Sequence, residues 1–101
     1  MSIGIGRIND SNTETLGGGK TLTVNDAKRQ FLDPGGSGRT IVLPALADGL
    51  EVTIINNQSA AEILRIDDAA GNVVGSPTGL ESKTLFCDGT TWQGIETTLH
   101  S

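Results

Sequence analysis

The chain has 101 residues with a net charge of −5, seven Lys and Arg against twelve Asp and Glu, and only 36% of its residues are hydrophobic. That length fits one domain, because two cores would each bury too little surface to offset chain entropy. An acidic chain whose Lys20, Lys28, Arg29, Arg39, Arg65 and Lys83 are scattered is repelled by phosphate backbones, and no apolar stretch approaches membrane-spanning length, so nucleic acid and membrane are excluded as partners.

Residues 1 to 19 carry little periodic apolar signal and end in Gly17-Gly18-Gly19, which is expected to make them a flexible N-terminal arm with a hinge. Residues 20 to 101 form the domain. There, short runs of Val, Ile, Leu and Thr alternate with Gly, Pro, Asn and Asp at the spacing of an all-β protein. Strands are expected at Thr21 to Val24 and at Arg29 to Leu32. A short helix starting at Asn25 or Asp26 competes with the second, but it lacks an i, i+3, i+4 apolar stripe.

Arg39 to Leu43 and Leu50 to Asn56 follow as central strands, separated by Pro44 and the Asp48-Gly49 turn. Ile63 to Asp67 and Asn72 to Gly75 flank Ala69-Ala70-Gly71 as one hairpin. Leu80 to Cys87 and Thr91 to Thr97 flank Asp88-Gly89 as a second. With no helix of ordinary length and no parallel βαβ spacing, the expected fold is an antiparallel β-sandwich or barrel of about eight short strands. Pro44, Gly49, Asn56, Gly89 and Trp92 are its structural residues: a strand stop, two tight turns, a loop-satisfying amide and the largest apolar side chain.

Catalytic and cofactor chemistry finds no footing. Gly17-Gly18-Gly19-Lys20-Thr21 is similar to the end of a phosphate-binding loop, but Glu14 stands where its first glycine belongs and a strand-like run follows. Asp67-Asp68 before Ala69-Ala70-Gly71-Asn72 lacks the alternating ligands and closing Glu of a calcium loop and reads as a polar turn. Cys87 would need a base, and His100, the only histidine, sits next to the last residue. No catalytic residue, metal site or cofactor is therefore expected, and the chain is read as a non-enzyme.

A chain this short, with three aromatic residues and one cysteine, lacks the disulfides or metal with which small domains supplement a modest core. Oligomerisation is the remaining route to more buried area. In Met1 to Arg7, no basic region precedes an apolar run as in a secretory signal, so synthesis as a soluble cytoplasmic product is expected.

Three segments taken in order carry a resemblance: Asp33-Pro34-Gly35-Gly36 through Val42-Leu43-Pro44, then Gly49-Leu50 through Ile55-Asn56, then Phe86-Cys87-Asp88-Gly89-Thr90-Thr91-Trp92. Together they resemble a β-module of tailed-bacteriophage virion proteins, found in small head decoration (cement) proteins and in tail-fibre domains, over roughly residues 20 to 96. The resemblance implies a homotrimer in the virion, made in the host cytoplasm, with no catalytic residue to carry over. A module preceded only by a short arm fits a decoration protein, whose partners are its own copies and the major capsid protein on the outer capsid surface. In that setting the arm from Ser2 to Leu16 is expected to contact the shell through Ile3, Ile5 and Ile8. The alternative is a tail-fibre, spike or baseplate module that takes part in host-receptor binding.

Overall fold

In strands whose side chains alternate between two faces, one face per strand can be buried, and the burial pattern of this chain follows that period. The structure, a computed structural model, describes residues 11–58 and 62–98, the side chains of 95–98 excepted. Among the described residues there are nine strands: β1 (Ser11–Thr15), β2 (Lys20–Thr21), β3 (Arg29–Asp33), β4 (Arg39–Val42), β5 (Glu51–Asn56), β6 (Leu64–Asp67), β7 (Val73–Gly75), β8 (Glu81–Cys87) and β9 (Trp92–Thr98). They form a five-stranded sheet in the order β1-β3-β5-β8-β9 and a four-stranded sheet in the order β2-β4-β6-β7.

The protein is all-β, a two-sheet sandwich, but its sheets are mixed rather than antiparallel. From β1 to β6 the chain passes alternately from one sheet to the other, so β1, β3 and β5 pair in parallel in one sheet and β2, β4 and β6 in parallel in the other. These are three turns of a flattened β-coil. Parallel strands need a crossover, and here the opposite sheet itself supplies it, so no helix is required. The chain then reverses: β7 runs antiparallel to β6, β8 to β5 and β9 to β8.

The two expected hairpins are present as β6-β7 and β8-β9, with Gly71 at φ 94 and Gly89 at φ 93 taking the left-handed conformation that their turns need. The strands expected near residues 29, 39 and 50 also form. Two expectations fail. Thr21 to Val24 shrinks to Lys20–Thr21, because the Asp26 carboxylate accepts from Thr23 N at 2.7 Å and folds residues 23–26 into a turn that leaves Val24 62% exposed. The same turn occupies the place of the rival helix.

Of the arm expected over residues 1 to 19, residues 1–10 lie outside the described residues, and residues 11–19 belong to the sandwich. Ser11–Thr15 is the first strand, Leu16 N donates to Asp33 O at 2.8 Å, and the Leu16 side chain is buried in the core. Gly35 (φ 77) fixes this junction, since a Cβ there would collide with the Leu16 carbonyl oxygen. Gly17 to Gly19 is the crossover between sheets rather than a hinge.

The core between the sheets is aliphatic. Leu32, Val52, Ile54 and Leu85 of the five-stranded sheet meet Ile41, Leu64 and Ile66 of the other, with Leu16, Leu22, Leu43, Cys87 and Trp92 completing the cluster. On one side the sandwich is closed by the Lys83 stem lying against two glycines: a Cβ would sit 3.1 Å from Lys83 Cγ at Gly75 and 2.6 Å from Lys83 Cε at Gly94. On the other side the Glu14–Lys20 ion pair, 3.0 Å long, ties the edge strands β1 and β2 together.

Candidate functional site

The residues that the sequence marks as structural hold the ends of the strands. Gly49 N donates to Cys87 O at 2.9 Å and Cys87 N to Leu50 O at 2.8 Å. This places the Asp48-Gly49 turn against the Asp88-Gly89 turn, where a Cβ on Gly89 would lie 3.4 Å from Asp48 Cβ. Pro44 and Trp92 line a small cavity of about 50 Å³ at the same end, together with Leu22, Val24, Leu50 and Val52.

Asn56 lies at the opposite end of β5 and is fully buried. Its Nδ2 donates to Glu62 O at 2.8 Å and to Pro77 O at 3.1 Å, while its Oδ1 accepts from Gln58 N at 3.2 Å. One side chain thus satisfies backbone groups of two loops, the role expected of it. Gln30 is a second buried amide, which the sequence reading did not mark. Its Nε2 donates to Ala27 O at 2.8 Å and its Oε1 accepts from Asn12 Nδ2 at 2.9 Å across the β1–β3 pair. The only clue in the sequence was a Gln in phase with Leu32 on an otherwise apolar inner face.

None of these arrangements supplies a reactive group. Cys87 is buried among core side chains. In the cavity, Asp26 is committed to its own turn through Thr23 N and Thr23 Oγ1. The exposed acids are likewise turned back onto the chain. Backbone amides of Asn72, Ala70 and Gly71, with the Asn72 side chain, hold the Asp68 carboxyl below its ordinary pKa. The amides of Thr91 and Thr90 do the same for Asp88, and the Thr78 amide and hydroxyl for Glu81. Among the described residues, no three His, Cys, Asp or Glu side chains come together as a set of metal ligands. Ile3, Ile5, Ile8 and His100 lie outside the described residues.

The surface that stands out is the outer face of the five-stranded sheet. Since Leu32, Val52, Ile54 and Leu85 point into the sandwich, Arg29, Phe31, Asp33, Glu51, Thr53, Ile55, Ser82, Thr84 and Phe86 point outward. Both phenylalanines of the chain are therefore outside the core, Phe31 half-buried and Phe86 41% exposed. Phe31, Ile55 and Ser82 stand side by side across three strands, and the neighbouring row pairs Thr53 Oγ1 with Thr84 Oγ1 at 3.0 Å. The Phe31–Ile55–Ser82 row bears no charge, while Arg29 stands beside Thr53 and Glu51 beside Phe86. The outer face of the other sheet carries the Arg65–Asp67 ion pair, 2.7 Å long.

In comparisons with known proteins, the chain matches no family model and no curated sequence.

Proposed function

We propose that this chain is a capsid decoration protein of a tailed bacteriophage, which binds the outer capsid surface as a homotrimer and stabilises the shell. The observation that carries the assembly half of this reading is the placement of Phe31 and Phe86. A chain with only three aromatic side chains leaves two of them on the outer face of a sheet instead of in its core. Large apolar side chains gathered on an open face mark contact with another protein. The virion setting rests on the resemblance carried by the segments around Asp33 to Pro44, Gly49 to Asn56 and Phe86 to Trp92, which here form the β3–β4 and β5–β8–β9 framework supporting that face. Binding to the assembled shell and not to its free subunits would stabilise the shell by mass action.

The test is electron microscopy of purified virions with the gene present and deleted. The reading predicts density on the shell that vanishes on deletion. Density lost from the tail instead would establish the fibre, spike or baseplate alternative, and loss from neither would remove the virion reading altogether. Shell contact by Ile3, Ile5 and Ile8 is tested by deleting residues 2 to 10 only, which should lower occupancy on expanded capsids. Unchanged occupancy would assign contact to the domain alone.

A further inference from the structure

We infer that the apolar cavity at the end of the sandwich where β3 and β5 begin is the seat of Ile8 of the same chain, which fastens the segment ahead of β1 to its own domain in the free protein. The inference stands apart from the virion reading, since on a shell the same side chain would exchange one apolar contact for another.

Three observations carry it. The first is position. β1, β3 and β5 all begin at this end, Ser11 beside Arg29 and Arg29 beside Thr53. Lys28 and Glu51, at the starts of β3 and β5, are on the cavity wall, and so is Trp92, which opens β9 there beside Cys87. The ten residues from Met1 to Asp10 are therefore joined to the sandwich at the cavity's own end. Ser11 is one strand spacing, about 4.8 Å, from Arg29. The three residues back to Ile8 reach up to ~10 Å. Ile5 and Ile3 stand on longer links, whose closure costs more entropy.

The second is the wall. Leu22, Val24, Pro44, Leu50, Val52 and Trp92 make it largely apolar. The Thr23–Asp26 turn holds Val24 there 62% exposed, so a side chain seated against it removes from water apolar surface that the described domain leaves bare. Asp26, an acid on the same wall, is already committed to Thr23. Trp92 has a buried indole N–H with no acceptor among the described residues, and an entering chain brings carbonyl oxygens that a small hydrocarbon would not.

The third is size. At about 10–15 Å³ for each water-sized group, the ~50 Å³ of the cavity takes roughly four, the number of carbons in an isoleucine side chain.

Trypsin tests this on the full-length protein, because Arg7–Ile8 is the one bond ahead of β1 that follows a Lys or Arg. Cleavage there, followed by mass spectrometry, should be at least about tenfold slower than in a synthetic peptide of residues 1–15, since a seated bond is cut only when it opens. Val24→Glu, at an exposed position that folding does not need, charges the wall and should bring the rate to within about twofold of the peptide. Val73→Glu, exposed on the other sheet, should keep wild-type protection, and each variant is first checked for a cooperative thermal transition. As a second measurement, Ile8→Cys combined with Val24→Cys should close a disulfide within one chain at least about tenfold faster than Ile3→Cys combined with Val24→Cys, where loop length alone accounts for less than about twofold. A wild-type chain cut as fast as the peptide overturns the inference. Protection that Val24→Glu leaves intact overturns this cavity as the seat. Protection that fades on dilution, with the disulfide forming between chains, places Ile8 in another copy and overturns the same-chain seat.

Discussion

Replacing Asn56 by Ala should cost more stability than any other single polar substitution among the described residues. The change removes two donations, to Glu62 O and Pro77 O, and the acceptor of Gln58 N, at a side chain with no exposure to water. Each buried backbone group left without a partner costs about 1–3 kcal/mol, and the partly exposed Glu62 carbonyl can recover water, so a net loss of roughly 2–4 kcal/mol is expected. Against the ~5–15 kcal/mol of a domain this size, that is a large share. At ~4–8 °C per kcal/mol it lowers the melting temperature by roughly 8–32 °C. Asn57→Ala is the matched control: the neighbouring side chain is exposed, and its change should fall within about 0.5 kcal/mol. Asn56→Asp keeps the shape but turns acceptors toward two carbonyls. It should be at least as damaging at neutral pH and should recover in part as the pH falls and the carboxyl gains a proton to donate. Urea and thermal unfolding at one fixed protein concentration give the comparison, because self-association would add its own stabilisation. If Asn56→Ala unfolds within 0.5 kcal/mol of Asn57→Ala, the two loops do not depend on this amide and the reasoning is wrong.

Other consequences are as direct. Leu32→Ala opens a cavity at a fully buried position and should cost about 2–5 kcal/mol by urea unfolding, whereas Val24→Ala, on the exposed turn, should be near neutral. Gly94→Ala places a methyl 2.9 Å from Leu85 Cδ2 and 3.0 Å from the Thr84 carbonyl oxygen. It should destabilise by roughly 1–3 kcal/mol, while Gly17→Ala, with open space around it, should not; equal melting temperatures for the two would contradict the close packing of β8 on β9. Asp68, Asp88 and Glu81 have folded pKa values below their unfolded ones, held there by amide donors. Their stabilisation is therefore complete above the ordinary carboxylate range and drains away as the pH falls below that range, through the lowered folded values. The urea midpoint should drop over that window, and Asp88→Asn, which keeps an oxygen for Thr90 and Thr91 but cannot titrate, should shrink the drop. A midpoint that rises on acidification would reverse the sign of the argument.

What was legible in the sequence depended on local chemistry. Asp88-Gly89 and Ala69-Ala70-Gly71 marked their hairpins because positive φ at a glycine is a property of the turn itself. Val52, Ile54 and Ile55 were read correctly as one strand with two faces, although burial of Ile55 beneath its outer-face neighbours required knowing that Phe31 lies beside it. Strand β1 was not legible. Its sequence, Ser11-Asn12-Thr13-Glu14-Thr15, has no apolar residue, and it joins the sheet as a polar edge through ladder bonds to β3 and the Asn12–Gln30 amide contact. Parallel pairing was hidden as well, because successive turns of the coil have unequal lengths: Ser11 stands beside Arg29 but Arg29 beside Thr53. A repeat of varying length leaves no period in the sequence. The outer face was not read from the sequence, although the alternation of Phe31 with Leu32 and of Phe86 with Leu85 already puts the two phenylalanines on the side away from those leucines.

That alternation separates folding from assembly. Every outward residue of β3, β5 and β8 is bonded through its backbone to a strand whose inward residues fill an aliphatic core containing neither phenylalanine. The core is complete without the face: Leu32, Ile54, Leu64, Ile66 and Leu85 have no exposure in the single chain, so covering the outer side gives them nothing further to bury. Exposed substitutions at Arg29, Glu51 or Phe86 should therefore change how copies meet with little change in how each copy folds. The reverse holds for Leu32 or Asn56, whose loss should lower stability at any protein concentration. A Phe86→Glu protein that melted far below wild type even at dilutions where both are monomeric would show that the face belongs to the fold, and the division of labour between the two sides of the sheet would not stand.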